Sequence, residues 1–317
     1  YEVYFEPYTE KVWGISCQEL SADWAAQRIS LPSLSEAVKR AISPGAAPPA
    51  TIISHFWYPR LGFGMIPDRM KSEIERLGGQ VILGTGVTSV VPQVEGGFTV
   101  TVDDGVGQHQ LNADRVISSI PMNFLLASLP ADSGSRAVAE DFKLRYRDII
   151  LIYLAIKAPQ VSSDSWTYFP GRSLLVGRTH EPRNWSPLMT PDGYTSLAAE
   201  VFTSQGEPTW EQPDEALVQR AADDLSGIGF MARGSLQQGW VRRVRFAYPV
   251  YDIGYADKVK AVHKFLDQWS NLHLVGRTGS FRYMNSDGVI EDALRLADYL
   301  TGVRGEYVDV SKTYKVD

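Results

Sequence analysis

The sequence predicts a mixed α/β fold in which two domains are interleaved along the chain. Three stretches carry this expectation. Residues 271–297 run from an apolar strand (272–275) through Gly276 and Gly279 into a polar turn, then into an amphipathic helix from about Gly288. Residues 55–121 alternate helical and strand-like patterns. Between them, residues 122–265 carry a separate series of strands and helices, so the first pattern is interrupted and later resumed.

The elements follow in order. Residues 1–43 read mainly as helix, with Ser21 and then Ser33 or Ser35 as cap candidates. The Gly/Ala/Pro stretch at 44–49 stops any helix. A helix over 65–77 ends on Gly78-Gly79. Residues 81–83 and 87–91 are strand-like. Residues 98–102 alternate with period two, Asp103-Asp104-Gly105 turns the chain, and 110–112 pair back as a hairpin. A strand at 114–120 stops at Pro121. In the second series, 149–156, 174–177, 195–202 and 239–249 are strands. Helices cover 214–225, whose acidic first turn suits the helix dipole, and 257–269.

Composition excludes several functional classes. A length of 317 residues suits roughly two domains. The net charge of −6 leaves no basic footprint for nucleic acid. The single cysteine, Cys17, rules out an internal disulfide and a cysteine-based metal site, and fits a reducing, cytoplasmic location. No apolar run approaches the roughly 18 residues that span a bilayer; the longest is 149–156. His55, His109, His180, His263 and His273 form no H-E-x-x-H or i, i+4 pair, so no zinc site is expected. No G-x-S-x-G elbow is present. No lysine or carboxylate pair stands out as a general acid or base, so the catalytic residue stays unassigned. That suits chemistry carried by a cofactor.

The strand–glycine–helix segment is an anion-binding device, because free backbone N–H groups and the positive end of the helix dipole meet there. Its turn also carries Arg277, Arg282, Tyr283, Asn285 and Asp287, more polar side chains than a plain connector needs. The pattern G-R-x-G-x-F-R-Y-x-N-x-D resembles the last flavin-binding segment of FAD enzymes of the amine-oxidase and protoporphyrinogen-oxidase type. It is most similar to the branch that contains UDP-galactopyranose mutase. Two further stretches resemble the same group. Phe5-Glu-Pro-Tyr-Thr-Glu-Lys-Val-Trp-Gly matches a Y-T-x-K-x-W-G segment. Phe56-Trp-Tyr-Pro-Arg-Leu-Gly-Phe-Gly, with Gly78-Gly-Gln-Val-Ile-Leu-Gly-Thr-Gly-Val, matches a Y-P-x-x-G-x-G turn, helix and strand.

The resemblance implies an FAD cofactor touched by Val87, Gly276, Arg277, Tyr283, Asn285, Asp287, Gly288 and Val289, with Arg277 at the pyrophosphate. It implies substrate-facing roles for Tyr8 and Trp13, for which core packing is the equal alternative, and for Trp57 and Tyr58. From the strand pattern itself, Arg243 and Arg245 share one face with Val241, and Trp240, Arg242, Val244 and Phe246 share the other. Arg243 and Arg245 could hold a diphosphate bidentately, and Tyr248 could shape the pocket.

These readings divide the chain. Residues 1–54 form a helical part of a substrate domain, and 55–121 part of an FAD-binding, Rossmann-like domain. Residues 122–265 form the substrate domain, 266–304 the C-terminal FAD-binding segment and 305–317 a tail. No G-x-G-x-x-G turn with a following acidic residue is present. The chain therefore reads as a fragment without its N-terminal dinucleotide-binding part, one expected not to retain FAD and to form a homodimer through the cut sheet. For the parent protein the expected activity is FAD-dependent oxidation of a small molecule by hydride transfer. The rivals are a mutase acting on a nucleotide-sugar and a non-catalytic binding module.

Overall fold

The structure, a computed structural model, describes residues 1–24 and 56–303. A three-stranded antiparallel sheet is formed by β1 (Gly86–Pro92), β2 (Phe98–Asp103) and β3 (Gln108–Ala113). Strand β4 (Val116–Ser118) pairs in parallel with β10 (Leu272–Leu274), joining segments more than 150 residues apart. A five-stranded sheet has the order β6-β7-β8-β5-β9, with β5 (Tyr146–Ile156), β6 (Thr167–Tyr168), β7 (Arg178–His180), β8 (Thr195–Thr203) and β9 (Leu236–Pro249).

Three apolar clusters hold these parts. In the first, Val90 and Phe98 meet Met122 and Leu126 of α3 (Met122–Ser128), Val259 and Val262 of α6 (Tyr255–Leu266), Leu272 and Leu274 of β10, and Phe281. The early and late stretches thus share one core. Its seam carries Val275 N–H to the Ser118 carbonyl at 3.0 Å and Thr278 Oγ1 to the Ser119 carbonyl at 2.7 Å. In the second, Ile150, Ile152, Leu154 and Ile156 point to one face of the large sheet and pack on Leu217, Ala221 and Leu225 of α5 (Asp214–Gly227). In the third, Ile149, Phe202 and Val250 meet Val12 and Trp13 of α1 (Phe5–Trp13). Period-two alternation along β5 sends its apolar residues to both clusters.

Buried Arg147 ties α1 to the sheet. It donates from Nε to the Val12 carbonyl at 3.2 Å, from Nη2 to the Phe202 carbonyl at 3.1 Å and from Nη1 to Ser204 Oγ at 2.7 Å. Next to it, Asp148 accepts the Phe246 N–H at 2.7 Å, where the β5–β9 register shifts.

Most expected elements are present. Helix α2 (Met65–Arg76) closes with Gly78 N–H to the Glu75 carbonyl and Gly79 N–H to the Ile74 carbonyl, a Schellman pair. Residues 81–83 form no strand; Ile82 and Leu83 are exposed and have no partner strand among the described residues. The strand expected over 114–120 is only three residues long, since β10 alone pairs with it among the described residues. The strand expected at 174–177 lies instead at Arg178–His180. Leu174 N–H turns back to the Gly171 carbonyl, and the Val176 carbonyl accepts from Lys11 Nζ at 3.0 Å, so that apolar run is a turn. Ser33, Ser35, the 44–49 stretch, His55 and the 305–317 tail lie outside the described residues.

Candidate functional site

At the C-terminal turn, β10 leads into α7 (Gly276–Gly279), a single turn entered at Gly276 with φ of 75°. Gly279 lies against β4: a Cβ there would stand 2.6 Å from the Ser118 carbonyl oxygen and 2.9 Å from Ser119 Cα. Only glycine allows this approach. Arg277 donates from Nε and Nη2 to the Met284 carbonyl and from Nη1 to the Ala247 carbonyl at 3.3 Å. Its guanidinium carbon stands 4.6 Å from the Tyr283 ring centre and 5.3 Å from that of Tyr248, and the two rings are nearly parallel. Helix α8 (Ser286–Leu300) then begins at Asn285, which is extended and makes no side-chain cap bond. A cavity of about 280 Å³ lies at this helix start, lined among others by Arg282, Tyr283, Asn285, Asp287 and Gly288. Free N–H groups of a first turn favour negative charge there.

The large sheet presents its chemistry on the face opposite α5. Cross-strand partners share a face, so the register defines rows. One row is His180, Ala198, Tyr153 and Trp240; the next is Tyr168, Arg178, Glu200, Leu151 and Arg242. Arg178 grips the buried Glu200 through Nε and Nη2 at 2.5–3.0 Å. Burial opposes the guanidinium charge, but the Glu200 carboxylate outweighs it and raises its pKa. His180 stacks on Trp185 at 4.8 Å. Burial first, and then the Arg178 charge, push its pKa down to about 4, so the ring is neutral. Tyr8 of α1 packs on Tyr168 and Phe202 of this face, and burial raises its hydroxyl pKa.

The sequence candidates fall into groups. Gly276, Arg277, Tyr283, Asn285, Asp287, Gly288 and Val289 come together at the turn and the start of α8. Tyr248 joins them through its stacking on Tyr283. Val87 is exposed on β1, paired with Val102 in the small sheet. Trp13 is 2% exposed and packs edge-on against Trp24 and Tyr248, which places it in the core. Trp57 is fully exposed, and Tyr58 packs on Trp185.

Arg243 lies on the α5 side of the sheet. It donates to the Trp210 and Gln212 carbonyls and pairs with Asp214 at 2.5 Å, so its guanidinium is a structural tie on the face away from the site. Arg245 is exposed and lies over the Phe246 and Phe124 rings at 4.6 and 5.9 Å. The arginine on the open face is Arg242, whose strand neighbour the sequence favoured instead. Arg178, His180 and Glu200 also escaped sequence reading. Arg178 and His180 lie in one short polar strand and Glu200 in an apolar one, and only strand register unites them.

Among the described residues, no helix is long and apolar enough to cross a membrane, and no group of three or more His, Cys, Asp or Glu could hold a metal ion. No protein-family model matches the chain. Solved structures do share its fold. A reduced UDP-galactopyranose mutase superposes with a TM-score of 0.78 at 20% identity, covering 98% of this chain and 66% of the mutase. A protein from Exiguobacterium sp. 255-15 assigned as a protoporphyrinogen oxidase gives 0.70 at 18% identity, covering 94% and 63%. Putrescine oxidase bound to putrescine gives 0.51 at 19% identity, covering 76% and 53%. The chain thus spans between about half and two thirds of the length of these proteins. The α/β fold expected from the three sequence segments is the fold found.

Proposed function

We propose that this chain carries the substrate-binding part and the C-terminal cofactor segment of an FAD-dependent oxidoreductase, in which a hydride passes from a substrate carbon to flavin N5. The observation that supports this most is the construction at 272–288: a parallel strand pair, a glycine turn pressed against β4, and an α8 start without a side-chain cap beside a cavity. These residues fit one part of the cofactor. Gly276 and Gly279 allow close backbone approach. The free first N–H groups of α8, at Ser286, Asp287 and Gly288, would hold negative charge on the pyrimidine edge, while the Val289 N–H closes the first turn on the Asn285 carbonyl. A guanidinium has five N–H donors; three on Arg277 hold carbonyls, and the remaining two would face the pyrophosphate. Val87 would meet the adenine from the exposed side of β1. When bound, FAD supplies two-electron acceptance, which no side chain here provides. Tyr248, Tyr283 and Tyr8 would shape the space for a small-molecule substrate and exclude water from it.

A second reading is a flavin-dependent mutase acting on a nucleotide-sugar without net redox change. The TM-score of 0.78 to UDP-galactopyranose mutase, over 98% of the chain, favours it. The test is flavin absorbance of the intact parent protein mixed with UDP-sugars and with amines. Anaerobic bleaching by an amine or another hydride donor supports the oxidase. Turnover of UDP-galactopyranose only after prior reduction supports the mutase. Failure to respond to either leaves a binding module.

A further inference from the structure

A cavity of about 570 Å³ lies on the open side of the large sheet, walled by Tyr153, Trp240, Arg242, Met189, Pro191 and Tyr194. Its volume falls within the roughly 300–1,000 Å³ of small-ligand sites. Its walls are mostly apolar and aromatic, yet Trp240 remains 45% exposed and Tyr194 38%. Two large rings are therefore available to a flat partner.

The charge here is unbalanced. Arg242 makes one hydrogen bond, from Nη1 to the carbonyl of its neighbour Val241 at 3.0 Å. No carboxylate reaches it within ion-pair distance among the described residues. Of the nearby acids, Glu200 is held by Arg178, Asp214 by Arg243, and Asp192 lies 3.9 Å from Arg183; Glu215 shares a neighbouring cavity with Arg242 without forming an ion pair with it. With Arg178 and Glu200 cancelling, the row of Arg178, Glu200 and Arg242 carries one net positive charge. Burial raises the pKa of the Tyr153 hydroxyl, which lines the same cavity, and the Arg242 charge pulls the other way.

We propose that this cavity binds a flat aromatic ring bearing an anionic group, the ring against Trp240 and Tyr194 and the anion on Arg242. A nucleoside phosphate and an aromatic carboxylate share this chemistry. Arginine matches either anion with a planar fork of donors. Arg242 precedes Ala247, whose carbonyl Arg277 holds, by five residues, at most about 17 Å, with Phe246 between them in left-handed backbone. The cavity would thus anchor the far end of an elongated substrate whose reacting carbon lies near 276–288. That placement rests on the flavin reading; the anchor itself does not.

The test is calorimetric titration of the chain, without cofactor, with adenosine 5′-monophosphate, 1-naphthoate, adenosine and inorganic phosphate. We expect the monophosphate or the naphthoate to bind, and adenosine and phosphate, each lacking one half, to bind at least tenfold more weakly. Arg242→Met should weaken binding at least tenfold, Arg242→Lys less, and Trp240→Leu about tenfold, the usual scale of base stacking on an aromatic side chain. Circular dichroism of each variant should match the parent. Binding of only one probe identifies which anion source applies. No binding by either probe, or parent-like affinity in Arg242→Met or in Trp240→Leu, overturns the proposal. Flavin content is read separately, so loss of the flavin reading leaves this result standing.

Discussion

Arg277 closes on Met284: its Nε and Nη2 both donate to that one carbonyl, at 2.8 and 2.5 Å. The arginine thereby fixes the backbone that launches α8, besides whatever charge it offers a ligand. In the intact parent protein, Arg277→Ala should lower flavin affinity roughly ten- to hundredfold, the worth of about 1.5–3 kcal/mol for hydrogen bonds to a charged group. Arg277→Lys should recover little, because an ammonium lacks the planar fork. Trypsin should also cut faster at Arg282 in the alanine variant. Unchanged flavin content after dialysis together with unchanged cleavage would count against this role.

Gly279→Ala should lower stability by about 1–3 kcal/mol, the usual cost of forcing atoms into a packed site. The new methyl would meet the β4 backbone at 2.6–2.9 Å, and backbone there cannot give way cheaply. Gly288→Ala is the contrast, since its nearest neighbour would be Met284 Cβ at 3.6 Å. Its melting temperature should stay near the parent's. Equal melting temperatures for the two variants would refute the close-approach argument.

Glu200→Ala should cost about 3 kcal/mol, because it strands the Arg178 guanidinium, 19% exposed, without its acceptor. Replacing both partners, as Arg178→Met with Glu200→Leu, should recover most of that loss. Urea denaturation of the single and double variants measures it, and additive losses would show that the pair acts as two independent residues.

His180 gives a pH signature. Its folded pKa, about 4, lies below the model-peptide value of 6.5, so the unfolded chain takes up the proton first as pH falls. Its contribution is complete above about pH 6.5 and is lost as pH falls toward 4. At one pKa unit per about 1.4 kcal/mol, the loss is at most about 3 kcal/mol. His180→Phe should therefore lose less stability than the parent between pH 7 and 4.5, measured by denaturant unfolding. Parallel losses would dismiss the histidine as the source.

The turn at 276–288 was legible in sequence because its signals are local: an apolar strand, spaced glycines and a helix start. The large sheet was legible only as a set of strands. In Trp240-Val-Arg-Arg-Val, valine falls on both faces, so alternation separates Arg242 from Arg243 without saying which faces α5. That is settled by partners far away in sequence, Tyr153 and Leu151 across β5 for the open face and Asp214 for the other. The apolar run at 174–177 misled for a related reason. Lys11 and Gly171 use its backbone, and neither is visible from the run itself.

Strand β9 faces α5 with Val241 and Arg243 and the open side with Trp240 and Arg242. Folding and recognition are thus written in alternate letters of the same short word. Substitutions at 240 and 242 can explore new ligands while the letters that hold the sheet to its helix stay fixed. A single-residue insertion within the strand would exchange the two sets. Diversification along this strand is therefore open to point changes and closed to changes of length, except near Phe246, where the register already shifts.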